Sequence, residues 1–214
     1  MNPEKKSLII RLMDFCKNAF DNGLIWGNSG NLSHRLNENT FIITGSGAHL
    51  GKLKNEDFVT VNLEDDRTEG DFKPSIETRM HSEIYRGDKN VMAVFHSQPF
   101  FTTLISCSDS EVDTKLIPES MAYLKKVGRI PYDHPGSAEL AKRVSRSIKE
   151  CDALILSNHG AICTGESLDE VRLKTETLEF LCRLIVISKI ADIKLNYLSP
   201  SVKDDFLRHL ERKK

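Results

Sequence analysis

Near the start of the chain Leu8, Ile9, Leu12, Phe15, Cys16, Ala19 and Phe20 recur at the three- and four-residue spacing of one helix face. That spacing predicts a helix over residues 4–23 with Gly23 as its C-cap. The pattern then shortens. Residues 32–36, 40–44 and 58–63 read as strands, the first two joined by a polar turn at Asn37-Glu-Asn39, and residues 64–70 read as an acidic surface turn. Lys73-Pro-Ser-Ile leads into a helix that carries Glu77 on its first turn and His81 one turn later. The apolar run Val91–Phe95 reads as a buried strand with His96 just past its end. Pro99–Cys107 is predicted helical with Pro99 in the first turn, and 118–124 stays open between helix and strand. Residues 127–131 read as a strand. A helix follows from Ser137 to Lys149, with Ser137 as N-cap and Glu139 in the first turn. Strands at 152–157 and 161–164 flank His159. Ser167 caps a long helix reaching Lys189, whose buried stripe is Leu168, Val171, Leu178, Leu181, Leu184 and Ile185. Ser199-Pro-Ser201 breaks the chain before a last charged helix, 202–212. The mixture of elements is that of an α/β protein, and with no shift in composition the whole of 1–214 is expected to form one domain.

Composition narrows the class. Of 214 residues, 39% are hydrophobic, enough for one sizeable core, and the net charge of −1 gives no basic excess for nucleic acid. No apolar run approaches the roughly 20 residues of a membrane span, and the N-terminus shows no signal-type apolar region. The five cysteines form no C-x-x-C pair, and Cys16, Cys151, Cys163 and Cys182 lie within apolar segments. They are expected to be reduced and buried, which favours a cytoplasmic location.

The candidate chemistry lies where polar residues meet element ends. Glu77 at a helix start, with His96 and His159 at two strand ends, makes a plausible divalent metal site, since a catalytic metal needs about three protein ligands and an open position. Gln98 lies two residues from His96 and so shares its side of an extended segment; its amide oxygen is a weaker ligand than imidazole. His49, His81 and His134 are weaker candidates, and any one histidine taken singly is better accounted for as a hydrogen-bonded, partly buried ring. Gly30-Asn31 and Ser46-Gly47 offer backbone N–H groups, and Ser75 a hydroxyl at a helix N-terminus, which would suit an anion or merely make tight turns. Neither a phosphate-binding P-loop nor a dinucleotide fingerprint is present, and there is no G-x-S-x-G elbow.

Five motifs in order then define a resemblance: Gly27-Asn-Ser-Gly-Asn-Leu-Ser33, Ile43-Thr-Gly-Ser-Gly47, Lys73-Pro-Ser-Ile-Glu77 with His81, Val94-Phe-His96, and Ser157-Asn-His-Gly160. Together they resemble the class II aldolase/adducin family, nearest to its L-fuculose-1-phosphate aldolase branch, over about residues 5–195. The resemblance implies a three-layer α/β/α fold with a central, largely antiparallel sheet, and a homotetramer with active sites at subunit interfaces. It implies metal-dependent retro-aldol cleavage of a sugar phosphate to dihydroxyacetone phosphate and an aldehyde. Zinc is the expected metal, with manganese or cobalt also suited to an oxygen-rich site. It makes His96 and His159 metal ligands, and Glu77 the acid/base group and a ligand in the resting state. It makes Gly30, Asn31, Ser46, Gly47 and Ser75 the phosphate pocket. Three departures stand out. Gln98 occupies the place of the family's third histidine, and Ile76 replaces a second serine. Glu119 or Tyr123 stands where the aldolases carry a tyrosine that reaches a neighbouring subunit's site. Relatives on the scaffold also catalyse pentulose-phosphate 4-epimerisation, sugar-phosphate dehydration or decarboxylation, and adducin head domains are non-catalytic binding modules.

Overall fold

The structure, a computed structural model, describes residues 3–212. Helix α1 (Pro3–Asp21) leads through a loop into strands β1 (Asn31–Arg35), β2 (Thr40–Thr44), β3 (Phe58–Asn62) and the short β4 (Thr68–Glu69). Then come α2 (Thr78–Gly87), β5 (Ala93–Ser97), α3 (Phe100–Ser106), α4 (Pro118–Tyr123), β6 (Val127–Ile130) and α5 (Ala138–Ser147). The chain ends with β7 (Ala153–Leu156), β8 (Gly160–Gly165), α6 (Leu168–Ile190) and α7 (Pro200–Glu211). The described strands form one sheet in the order β4-β3-β2-β1-β5-β8-β7-β6, antiparallel at every step except β6–β7. The expected three-layer, largely antiparallel α/β/α architecture is therefore what the chain adopts.

Alternation along the strands sends side chains into two cores. Leu32, Phe95, Ala161 and Ile155 face a layer containing α1 and α6, where Leu12, Phe15, Leu178 and Leu181 are buried against them. The rings of Phe15 and Phe95 meet edge to face at 5.0 Å between centroids. Val94, Ile162 and Leu154 face the other layer, where α2 and α5 contribute Met80, Ile84, Leu140 and Val144. The caps form as expected: Ser137 accepts from the Leu140 N–H at 3.1 Å and Ser167 from the Glu170 N–H at 3.1 Å.

Several boundaries differ. The strand expected at Val91–Phe95 runs two residues later, so His96 lies inside β5 instead of past its end. Met92 is still held, its carbonyl accepting from the Arg35 N–H and its N–H donating to the Gly165 carbonyl, outside the regular ladder. Glu77 and Pro99 are the N-caps of α2 and α3, one position before their first turns. The acidic turn at 64–70 contains β4, which pairs with β3 through Thr68 and Glu69. The ambiguous segment at 118 becomes α4, with proline in its first turn, where a missing N–H costs nothing. All five cysteines are unpaired; Cys16, Cys163 and Cys182 are buried, Cys151 is only half-buried and Cys107 is exposed. No helix among the described residues is long and apolar enough to cross a membrane.

On α2 the apolar face also carries His81, which is fully buried. Burial pushes its imidazole down to about 3, overriding the pull of the Glu77 carboxylate. An unfolded histidine protonates near 6.5, so below that pH the unfolded chain binds a proton that the folded chain does not. The stability linked to His81 is thus complete above about pH 6.5 and is lost as the pH falls toward 3, at about 1.4 kcal/mol per pH unit. Urea unfolding at pH 7, 6 and 5 should show stability falling with pH, and His81→Gln should shallow that slope by about one proton. An unchanged slope in the variant would mean that the ring titrates normally in the folded protein.

Candidate metal centre

Three segments converge on the α2 side of the sheet. In the β1–β5 ladder Asn31 stands directly opposite His96, and both side chains face α2. Glu77, the N-cap of α2, lies over them. His159 arrives from the β7–β8 hairpin, whose last pair is Leu156 with Gly160. That three-residue loop needs Asn158 in the left-handed region at φ 56°, which asparagine tolerates better than most residues. Gly160 at φ 151° passes so near β5 that a Cβ there would lie 2.5 Å from the Ser97 carbonyl oxygen. The glycine after His159 is thus what lets the hairpin bring the ring over His96.

Glu77 Oε2 lies 3.2 Å from His96 Nε2, and Glu77 Oε1 lies 3.4 Å from His159 Nε2. The two imidazole centroids are 4.7 Å apart, and one ligand atom from each of the three residues falls within 4.8 Å of the others. The His96 Nδ1–H donates to the Ala161 carbonyl at 2.9 Å, which turns Nε2 toward the carboxylate. This backbone contact orients the ring as an outer hydrogen bond orients a metal-bound histidine.

Electrostatics point the same way. Glu77 is 4% exposed. Burial raises its pKa, but His96, His159 and the Asn31 N–H together outweigh that effect and hold the carboxyl below its ordinary value. Burial, reinforced by His96, pushes His159 down to about 4, against the pull of Glu77. At neutral pH the site therefore holds a carboxylate beside an uncharged His159. Glu77 Oε1 is buried without a hydrogen-bond donor, and so is Gln98 Oε1. Buried carboxylate oxygens are rarely left so, and a divalent cation would satisfy Glu77 and both Nε2 lone pairs at once. The donor set of one carboxylate and two imidazoles fits such an ion.

Gln98 comes in on the same side as His96, as its spacing predicts, with Nε2 3.3 Å from His96 Nε2. The carboxamide is pseudo-symmetric, so a half-turn exchanges its nitrogen and oxygen. The residues expected to bind an anion converge as well. Gly30, Asn31, Ser46, Gly47 and Ser75 line one cavity of about 300 Å³ together with Glu77 and His159. The loops are tied together by the Gly45–Pro74 bridge and by the Ser46 N–H donating to the Lys73 carbonyl at 2.8 Å. Ile76 lies at this cavity with 69% of its surface exposed.

Glu119 and Tyr123 are not brought to this site within one chain. Both lie exposed on α4, which packs against α6 and α7 on the far side of the sheet. His49 and His134 also stand outside the cluster, against Phe20 and Tyr132 respectively. Sequence reasoning gave Asn31 a place in the anion pocket but missed its second role, in which its Nδ2–H donates to Glu77 Oε2 at 2.9 Å. Ser33 and Tyr85 were missed altogether. The available signal was a pair of polar residues two apart on β1, Asn31 and Ser33, and another pair four apart on α2, His81 and Tyr85, all at core-facing positions.

Comparison with known proteins agrees with this geometry. Residues 10–186 match the family described as Class II Aldolase and Adducin N-terminal domain. An L-fuculose phosphate aldolase of Methanococcus maripaludis is 34% identical over 169 residues, 79% of this chain and 90% of that protein. A 3-oxo-tetronate 4-phosphate decarboxylase of Haemophilus influenzae is 31% identical over 205 residues, 94% of this chain and 95% of that protein. The crystal structure of Escherichia coli YgbL, assigned only as far as aldolase/epimerase/decarboxylase, superposes with a TM-score of 0.87 at 28% identity, covering 94% of this chain and 98% of that one. Motifs, topology and matches converge on one conclusion: the chain belongs to the class II aldolase and adducin family.

Proposed function

We propose that this protein is a divalent-metal-dependent aldolase that cleaves a sugar phosphate by retro-aldol chemistry, releasing dihydroxyacetone phosphate and an aldehyde. The observation that carries the reading is the buried Glu77 carboxylate between His96 and His159, with Oε1 lacking any donor. His96 and His159 would hold the ion, Gln98 would supply a third donor through Oε1, and Glu77 would join them in the resting enzyme. Zinc is the expected ion, and manganese or cobalt would suit the same donors. When bound, it would polarise the substrate carbonyl and stabilise the negative charge that develops as the carbon–carbon bond breaks.

The remaining roles fall to the chain itself. Backbone N–H groups of the Gly30–Asn31 loop and of Gly47, with the Ser46 and Ser75 hydroxyls, would hold the phosphate in the cavity beside Glu77. The cavity then fixes the sugar's reacting carbons close to the carboxylate. Glu77, ionised and shielded from water, would move the proton between substrate and products. In a homotetramer, Glu119 or Tyr123 of a neighbouring copy would complete proton transfer at the leaving oxygen.

A second reading is supported to a similar extent: decarboxylation of a 3-oxo sugar-acid phosphate, favoured by a decarboxylase relative that spans more of this chain than the aldolase does. Both reactions leave an electron pair on carbon next to a carbonyl, so the same site would serve either. An assay of ketose 1-phosphates for dihydroxyacetone phosphate, run beside 3-oxo-tetronate 4-phosphate for carbon dioxide release, separates them. Turnover of neither class, with several metals supplied, would overturn both.

His159→Ala should lower bound metal and rate together, whereas Glu77→Gln should lower the rate by about a hundredfold or more with the metal retained. Metal analysis alongside steady-state kinetics checks this, and equal metal loss in both variants would make Glu77 mainly a ligand. Gln98→His should tighten zinc binding in a competition titration with a chelator; unmoved affinity would place the third donor elsewhere. Glu119→Gln should reduce turnover without changing metal content, and unchanged turnover would remove Glu119 from the reaction.

A further inference from the structure

Behind Glu77 an unbroken line of hydrogen bonds runs into the core. The Asn31 amide bridges Glu77 Oε2, at 2.9 Å from Nδ2, and His81 Nε2, at 2.6 Å from Oδ1. On the other side of the ring, His81 Nδ1 lies 2.6 Å from Ser33 Oγ, which lies 2.8 Å from the Tyr85 hydroxyl. All five residues are at most 5% exposed, so water competes little for these contacts.

The proton positions along this line follow from one fact at its head. An ionised carboxylate only accepts, so Asn31 must offer it Nδ2–H. That turns Oδ1 toward His81, whose Nε2 must then be the protonated nitrogen. Nδ1 is left as an acceptor, Ser33 must donate its O–H to it, and Tyr85 must donate to Ser33. Rotating the Asn31 amide by half a turn would reverse every donor in the line and aim a carbonyl-type oxygen at Glu77, an arrangement compatible only with a protonated carboxyl. Burial holds His81 neutral, so the ring acts as a fixed donor and does not carry a proton through the core.

We propose that His81 is a positioning residue, whose Nε2–H locks the Asn31 amide so that its N–H faces Glu77 and keeps that carboxylate aimed at the cavity. The assignment rests on Glu77 being the acid/base group. Removing the ring would leave Asn31 Oδ1 buried without a donor and free the amide to turn. The carboxylate would then lose its one N–H donor in the structure, take up a proton more readily and no longer be held toward the cavity, while the anion-binding loops stayed in place. The loss should therefore fall on kcat and spare KM.

Two measurements test this on the full-length protein as purified. In long-range proton–nitrogen correlation spectra of imidazole groups, one ring, identified by its absence from His81→Gln, should show the Nε2–H tautomer and stay unchanged from pH 5 to pH 8. An Nδ1–H tautomer, or a ring that titrates in that range, would overturn the proposal. In kinetics, His81→Leu should lower kcat about tenfold, the loss expected for one hydrogen bond to a charged group, with KM changed by less than about threefold. His81→Gln, whose amide can still donate to Asn31, should recover most of the rate. Equal losses in both variants would reduce His81 to packing. If the wild-type protein turns over no substrate, the reading of Glu77 fails on its own, and the tautomer still decides how Asn31 is held.

Discussion

A carboxylate buried beside two imidazoles is the constraint from which the rest of this structure can be understood. Glu77 has one N–H donor in the structure, from Asn31, and no donor at Oε1. Desolvating a carboxylate costs several kcal/mol even after relaxation, and His159, held near pKa 4, gives no positive charge at neutral pH. A fold that retained this arrangement for stability alone would do better with an apolar side chain at 77. The cluster therefore costs the fold stability, and it can be maintained only because the surrounding sheet and helix fix the three side chains independently.

That fixing comes from antiparallel pairing. The β1–β5 register sets Asn31 opposite His96, and the β5–β8 register places the Ala161 carbonyl where the His96 Nδ1–H meets it. A slip of one residue in β5 would send His96 into the α1–α6 core and Phe95 toward Glu77. Large apolar side chains on the opposite face, Leu32 and Phe95 among them, oppose such a slip because their burial depends on the same register. Core packing on one side of the sheet thus protects the geometry of the site on the other.

Much of this was legible in the sequence, for identifiable reasons. The long helices were visible because α1 and α6 each carry an apolar stripe, and their ends were marked by Gly23 and Ser167. His96, His159, Glu77 and the small-residue loops were found because they fall in ordered motifs. What was not legible depends on register. Whether His96 ended a strand or lay within it turned on Val91 and Met92, whose apolar character fits a ladder that they do not join. Thr68 and Glu69 pair with β3 although both are exposed and polar, so no hydrophobic pattern announced β4. The line from Asn31 to Tyr85 joins residues about 50 positions apart, and only the folded sheet brings the two polar pairs together.

Gln98 gives the site its own character. An amide oxygen is a harder and weaker donor than imidazole, so a cation held by His96, His159 and Gln98 would be bound less tightly than one held by three histidines. It would also keep more of its positive charge for the substrate oxygens, because less is neutralised by the protein. The cavity beside Glu77 compounds this, since none of its lining residues is a lysine or arginine. Backbone N–H groups would bind a phosphate there, and the site's one full positive charge would be the cation beside Glu77. Substrate orientation would then depend on the distance between a phosphate held by the Gly30 and Gly47 loops and a carbonyl drawn toward the histidines. The loop carrying Ile76, held against Gly136, borders that same space. A branched aliphatic side chain at position 76 gives the cavity an apolar wall beside the Ser75 hydroxyl, so a bound anion would be gripped from the side of the Gly30 and Gly47 loops.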